Sequence, residues 1–254
     1  MYIVKLILGK KHDTILFMRL DQALVINNFY PTRTKAVSAI ESGLVFINNV
    51  LAKKPSQQVC ENDTITAQPL PYTTGRGSLK LAHALEHFKI KPSGMACLDV
   101  GASTGGFTEI LLKNGASRVY AVDVGTDQLI PELKNNPRVV SLEQTDIRTL
   151  AVQSIVDLIV IDVSFISLTN IISALVPWGA NDIIALIKPQ FEVPREISAK
   201  YNGIIKSTEL HEQSIASVVD AFAKSGFRLC GTTQSPILGG SGNTEFLAHF
   251  SKNN

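Results

Sequence analysis

An α/β protein, a doubly wound sheet with a small α+β domain ahead of it, is predicted by three features of this 254-residue sequence. From about residue 76 onward, strand patterns alternate with helix patterns, the order that builds a parallel sheet with helices on both faces. Some of these strands are apolar at every position, as in Leu158-Ile-Val-Ile161, which marks a sheet covered on both sides. One of them, opening Cys97-Leu-Asp-Val-Gly-Ala-Ser-Thr-Gly-Gly-Phe107, ends in an acid and passes through a glycine-rich turn into a helical pattern. Glycine lets the backbone approach a ligand closely at such a strand-to-helix turn.

The elements follow in order. Residues 1–17 read as an extension: they are apolar to Gly9, and Lys10-Lys11-His12-Asp13 follow without a small-residue cleavage pattern, with Met18 as the alternative start. Residues 18–67 form a helix-helix-hairpin module. Leu20, Leu24 and Val25 make one helical stripe and Ala36, Val37 and Ile40 another, with Thr32 and Thr34 as candidate caps. Leu44–Ile47, a turn at Asn48-Asn49, Val50-Leu51 and a closing strand at Asp63–Thr66 complete it. Gln68-Pro-Leu-Pro71 stiffens a linker over residues 68–75, because proline fixes φ. In residues 76–254, strands are expected at Ala96–Val100, Arg118–Val124, Arg138–Leu142, Asp157–Ile161, Ile183–Ile187, Phe227–Thr232 and Thr244–Phe250. Helices are expected between them at Leu79–Phe88, Gly106–Asn114, Gln128–Asn135, Ser167–Val176 and Glu209–Lys224.

Composition narrows the function classes. At 45% hydrophobic residues the chain can bury one full α/β core and a small appendage. A net charge of only +2 means that any nucleic-acid surface is local. Between Met18 and Cys60 the basic residues Arg19, Arg33, Lys35, Lys53 and Lys54 outnumber Asp21 and Glu41, a local charge of +3. Thr32-Arg33-Thr34-Lys35 stands at a helix start, where phosphates are also favoured. Cys60, Cys97 and Cys230 are far apart with no C-x-x-C pair, which argues against zinc and a disulfide framework and fits a reducing cytoplasm. No apolar run approaches the roughly 18 residues that cross a bilayer. His83 and His87 have helical spacing but no Glu to make a zinc motif, so no metal is expected.

The chemistry-bearing residues gather at strand ends. The turn after Asp99 is not the pyrophosphate-seating G-x-G-x-x-G, since Gly101 is followed by Ala-Ser-Thr and the pair Gly105-Gly106. It suits a cofactor without phosphates, S-adenosylmethionine foremost, and disfavours a nicotinamide enzyme. Asp123 ends the second strand, where a carboxylate can accept both hydroxyls of a ribose. Asp146 follows the third strand, Asp162 the fourth and Lys188 the fifth. One such residue is commonly a solvated turn residue, but five on one edge are not. A partly desolvated Lys188–Asp162 pair can bind a hydroxyl, ease its deprotonation and aim its lone pair at an electrophile. Glu245 is expected within the last strand and needs a partner if it points inward.

With these motifs the sequence resembles a known family. The carboxyl-terminal two thirds is similar to the FtsJ-like, Rossmann-type ribose 2′-O-methyltransferases, and the chain from Met18 resembles the TlyA family, often named haemolysins and related to rRNA methyltransferases. The residues that carry this are Arg19-Leu-Asp21, Arg76-Gly-Ser-Leu-Lys80, Asp99 to Phe107, Ala121-Val-Asp-Val-Gly125, Asp162-Val-Ser-Phe-Ile-Ser-Leu168, Lys188-Pro-Gln-Phe-Glu192 and Gly242-Asn-Thr-Glu-Phe246. The resemblance implies methylation of ribose 2′-hydroxyls in ribosomal RNA, with ribosomal RNA or ribosomal subunits as partners and no membrane insertion. It implies a catalytic set of Lys80, Asp162, Lys188 and Glu245, in which Lys188 activates the hydroxyl, Asp162 and Glu245 set its charge state, and Lys80 helps to hold substrate. Asp99, Gly101, Ala102, Ser103, Thr104 and Gly105 would form the cofactor turn, with Asp123 on the ribose and Asp146 on the adenine amine. Asp99 has a second reading, as a structural acceptor for the turn's amides. The module of residues 18–67 resembles the RNA-binding fold named after ribosomal protein S-four. Two departures bear on substrate positioning: Gly75-Arg-Gly-Ser78 replaces the usual Ser-Arg-Gly-Gly, and the glycine-rich loop after Phe191-Glu192 is thinned to Ala199-Lys-Tyr-Asn-Gly203. The rival expectations are a membrane-active haemolysin and a non-catalytic RNA-binding protein with a vestigial cofactor site.

Overall fold

A computed structural model describes residues 2–5 (backbone), 17–69, 74–75 and 77–253. Most of the expected extension (residues 6–16), residues 70–73 of the expected linker and Arg76 of the Arg76–Lys80 motif lie outside the described residues. The chain divides into two compact units, Met1–Arg76 and Gly77–Asn254.

The first unit contains β1 (Tyr2–Lys5), β2 (Met18–Arg19), α1 (Leu20–Ile26), α2 (Arg33–Glu41), β3 (Val45–Ile47), β4 (Val50–Leu51), β5 (Gln58–Val59) and β6 (Thr64–Ala67). Among the described residues, four of these strands form an antiparallel sheet in the order β1-β6-β3-β4, and β2 pairs with β5. Strand β1 comes from the stretch read as an extension. It pairs Tyr2 with Ala67, occupying an edge of β6 that would otherwise leave backbone groups open. Thr32 caps α2 by accepting the Lys35 amide at 3.3 Å, while Thr34 stands inside the helix. Asn48 and Asn49 both adopt positive φ, 49° and 64°, in the two-residue turn joining β3 to β4. Asparagine tolerates this conformation better than most residues. Leu20, Leu24, Ala36, Val45 and Ile65 are fully enclosed in the small core.

The second unit begins with α3 (Gly77–Phe88), β7 (Ala96–Val100), α4 (Gly106–Lys113), β8 (Arg118–Val122), α5 (Pro131–Lys134) and β9 (Val139–Leu142). It continues with β10 (Leu158–Ile161), α6 (Ile172–Leu175), β11 (Asp182–Ile187), α7 (Pro189–Glu192), α8 (Arg195–Lys200), α9 (Thr208–Lys224), β12 (Phe227–Gln234) and β13 (Phe246–Lys252). The sheet order is β12-β13-β11-β10-β7-β8-β9. Strands β7 to β11 run parallel, and β13 is antiparallel to both neighbours. The parallel strands therefore deliver their carboxyl ends to one edge, the position where open α/β sheets bind ligands. Leu98, Ile159, Ile183 and Phe250 are fully buried, as the continuously apolar strands require.

Four expected elements differ. The helix expected from Gln128 starts only at Pro131, because the amides of Asp127, Gln128 and Leu129 bind the Glu143 carboxylate instead. The helix expected over Ser167–Val176 breaks into 3₁₀ turns around Ile172–Leu175, with Pro177 removing an amide donor at its end. The stretch after Lys188, expected only as a rigid exit from the strand, holds two short helices, α7 and α8. Glu245 stands one residue before β13 rather than inside it.

Candidate active site

The glycine turn is shaped by contact as much as by conformation. Gly101 has φ +84°, and a Cβ placed there would lie 2.5 Å from the Asp162 carbonyl oxygen. Gly105 is left-handed, φ +98°, and opens α4. A Cβ on Gly106 would stand 3.0 Å from the Ser78 amide nitrogen, so this glycine lets the first turns of α3 and α4 meet. That packing brings Lys80, 8% exposed, to the sheet edge.

Two ion pairs form there. Lys188 Nζ lies 2.6 Å from Asp162 Oδ1 and donates to Ser164 Oγ at 2.8 Å. Lys80 Nζ lies 2.6 Å from Glu245 Oε2. Glu245 is 3% exposed, so its side chain points inward, and its partner is Lys80 rather than Lys188. The expected influence of Glu245 on Lys188 is therefore not a direct contact. Two cations and two carboxylates share the site as matched pairs, the arrangement that makes buried charge tolerable.

Two clefts on this edge hold sequence-predicted residues. The larger, about 760 Å³, is lined among others by Gly101, Ser103, Asp123 and Asp146, the sequence-predicted cofactor residues that reach it. Asp99, Ala102, Thr104 and Gly105 do not line it. Asp99 is fully buried, takes a 2.6 Å hydrogen bond from the Thr108 hydroxyl, and leaves Oδ1 without a partner. Burial drives its carboxyl up to about 7, against the pull of Thr108. It is Asp123 that accepts the turn's amide, from Ser103 at 2.8 Å, and also that of Gly125 at 2.7 Å. Asp146 is gripped by the Arg148 guanidinium, at 2.6 Å from Nη2, and this holds its carboxyl below the ordinary value. The smaller cleft, about 500 Å³, is lined by Lys80, Lys188 and Glu245, and it shares Gly101, Ser103, Asp162 and Ser164 with the larger one.

Several lining residues were not singled out by the sequence. Val124 is 73% exposed at the mouth of the larger cleft, although it directly follows Asp123 in an apolar run. Phe165 is 87% exposed, adopts φ +65° and faces Phe191 with ring centroids 5.2 Å apart. Val163 and Ile166 flank Phe165, so nothing in the local pattern set it apart from an ordinary buried residue. Ser164 had a weak signal, its spacing of two from Asp162.

In the first unit, Arg19 and Arg33 converge on one carboxylate. Asp21, 1% exposed, accepts Arg19 Nε at 3.0 Å and Nη2 at 2.9 Å, and Arg33 Nη2 at 2.8 Å. Arg19 above all, with Arg33, holds the Asp21 carboxyl down to about 2. Backbone bonds from Leu20 to Gln57 and from Asp21 to Pro55 keep the segment after Lys53 and Lys54 beside the start of α1. Lys35 sits in the first turn of α2.

Comparison with known proteins gives a consistent picture. Residues 73–252 match the FtsJ-like methyltransferase family and residues 18–65 the S4 domain. The chain is 40% identical over 236 residues to the 16S/23S rRNA (cytidine-2′-O)-methyltransferase TlyA of Mycobacterium tuberculosis, covering 90% of this chain and 88% of that one. It is 39% identical over 241 residues to Hemolysin A of Brachyspira hyodysenteriae, covering 92% and 99%. A solved structure of a hemolysin-named protein from Streptococcus thermophilus superimposes with a TM-score of 0.72 at 38% identity, over 94% of this chain and 89% of that one. Among the described residues, no helix is long and apolar enough to cross a membrane, and no group of three or more His, Cys, Asp or Glu residues could hold a metal ion.

Proposed function

The chain belongs to the FtsJ-like methyltransferase family, and within it to the TlyA group that carries an S4 domain, and we propose that it methylates ribose 2′-hydroxyls of ribosomal RNA using S-adenosylmethionine. The observation that carries this reading is the Lys188–Asp162–Ser164 contact, set where the two clefts share a wall. The residues of the larger cleft fit an adenosine-bearing donor. The Gly101 cradle has no room for a Cβ, Asp123 stands at the end of β8, and Val124 offers an apolar surface for a base. When bound, S-adenosylmethionine supplies an electrophilic methyl group.

The chain's own task is to place the hydroxyl oxygen and remove its proton. Lys188 Nζ, as the ammonium, binds the hydroxyl and activates it by steadying the charge that develops on its oxygen, while Asp162 accepts the proton released and Ser164 fixes the direction of Nζ. The Lys80–Glu245 pair lines the substrate side and holds the nucleotide. Asp123 binds the donor's ribose, and Asp146, oriented by Arg148, binds its adenine amine. Phe165, exposed beside Phe191, is suited to stack the target base, since a base–aromatic stack is worth roughly 1–3 kcal/mol. The first unit binds structured RNA through the Arg19–Arg33 pair together with Lys35, Lys53 and Lys54.

Lys188→Ala is expected to lower the methylation rate on rRNA by roughly a hundredfold or more, with donor affinity by calorimetry nearly unchanged. A variant that methylates at the wild-type rate refutes the assignment. Mapping 2′-O-methylation in rRNA from a deletion strain and its complemented parent tests the substrate class directly, because an identical pattern in both excludes rRNA ribose.

A further inference from the structure

We propose that Glu192 is a positioning residue that locks the loop carrying Asp162, Ser164 and Phe165 onto the turn carrying Lys188. This rests on the ribose-methylation reading. Glu192 lines none of the clefts described above. Its carboxylate instead accepts the Ser167 hydroxyl at 2.6 Å and the Leu168 amide at 3.0 Å. Burial pushes the carboxyl upward, and these two donors offset that.

The geometry makes this more than a helix cap. Lys188 and Glu192 are joined by one helical turn, closed by the Phe191 amide on the Lys188 carbonyl at 2.9 Å and the Val193 amide on that of Pro189 at 3.0 Å. One end of this turn grips the start of the 162–168 loop, through Asp162 and Ser164. The other end grips its finish, through Ser167 and Leu168. Between the two anchors stands Phe165 in the left-handed region, at φ +65°. A bulky residue persists there only when its surroundings over-determine it. Ser167 is itself fixed by Thr169, whose hydroxyl lies 2.7 Å away and whose amide donates to Ser167 Oγ at 3.1 Å. Loss of the Glu192 anchor frees one end of the loop, so that Phe165 relaxes and the Asp162–Lys188 contact loosens.

The test compares full-length wild type with Glu192→Ala, Glu192→Gln, Ser167→Ala and the double variant carrying both alanines, using rRNA methylation kinetics and amide exchange at Leu168. Glutamine keeps both bonds in uncharged form, since Oε1 accepts the Leu168 amide and Nε2 can donate to Ser167. Glu192→Ala should lower kcat by roughly ten- to a hundredfold, as small misplacements at reacting groups do, and speed exchange at Leu168. Glu192→Gln should restore most of both. Ser167→Ala should fall between, and the double alanine variant should be no worse than Glu192→Ala alone. Wild-type kcat in Glu192→Ala, or a glutamine variant as impaired as alanine, overturns the proposal, as does unchanged exchange at Leu168. If the wild type itself fails to methylate rRNA ribose, the functional reading falls, while the exchange data still decide the clamp.

Discussion

Asp99 shows that a place on a strand leaves a residue's role open. The sequence allows both a cofactor ligand and a structural acceptor, and the carboxyl is fully buried, does not line the larger cleft and keeps one oxygen unpartnered. Burial raises it from 3.8 to about 7, so the folded protein holds this proton more tightly than the unfolded chain does. The sign follows from linkage. Its contribution to stability is fully present below about pH 4 and is lost as pH rises toward 7. Asp99→Asn keeps an acceptor for Thr108 and removes the titration. Between pH 4 and 8, urea unfolding should show the wild type losing on the order of 2–4 kcal/mol relative to this variant. Parallel stability curves would mean that Asp99 is ionised throughout. Asp123 makes the opposite case, because it accepts two amides of the cofactor edge and also lines the cleft. Its replacement by alanine should cost about 2–3 kcal/mol of donor affinity by calorimetry, the worth of one or two charged hydrogen bonds.

At the scale of the element, the turn between β7 and α4 joins strain to packing. Gly101 and Gly226 both adopt left-handed φ, +84° and +87°, but a Cβ meets the Asp162 carbonyl at the first and nothing within 4 Å at the second. Gly226→Ala should therefore cost only the conformational strain, about 1 kcal/mol. Gly101→Ala adds a backbone clash beside a catalytic candidate and should cost roughly 3 kcal/mol or more in denaturant unfolding, with at least a tenfold loss of donor affinity. Equal penalties at the two positions would show that the Asp162 backbone yields easily, and the close approach would then carry no weight. The short helices after Lys188 belong to this scale as well. Pro189 and Pro194 flank a turn whose role depends on contacts with β10's loop rather than on any local periodicity.

For the whole molecule, the near-neutral net charge conceals a division into a locally basic unit and an α/β unit with paired charges. Arg33 is bonded to the buried Asp21, so a glutamate at position 33 would confront a carboxylate and disturb the fold. Glutamine is the cleaner probe. Arg33→Gln with Lys35→Gln should weaken rRNA binding and lower the slope of log affinity against log salt by about 2, one for each lost phosphate contact. Donor affinity should be unchanged. An equal loss of RNA and donor binding would indicate misfolding rather than lost contacts.

The alternation of patterns, the apolar strands and the glycine turn were enough to determine the α/β class, the strand sequence and the residues gathered at the sheet edge. These features depend on local periodicity and on residues with restricted or permissive backbones, so they can be read along the chain. The family motifs also marked Lys80, Asp162, Lys188 and Glu245 before any of their partners were known. Which lysine meets which carboxylate was decided only in three dimensions, because Lys80 and Glu245 are 165 residues apart and meet through the packing of α3 and the register of β13. The same holds for Asp99 beneath the turn, for Arg19 and Arg33 on Asp21, and for Glu192 on the loop after β10. Each depends on where a side chain points once distant segments pack, and chain spacing does not encode that direction.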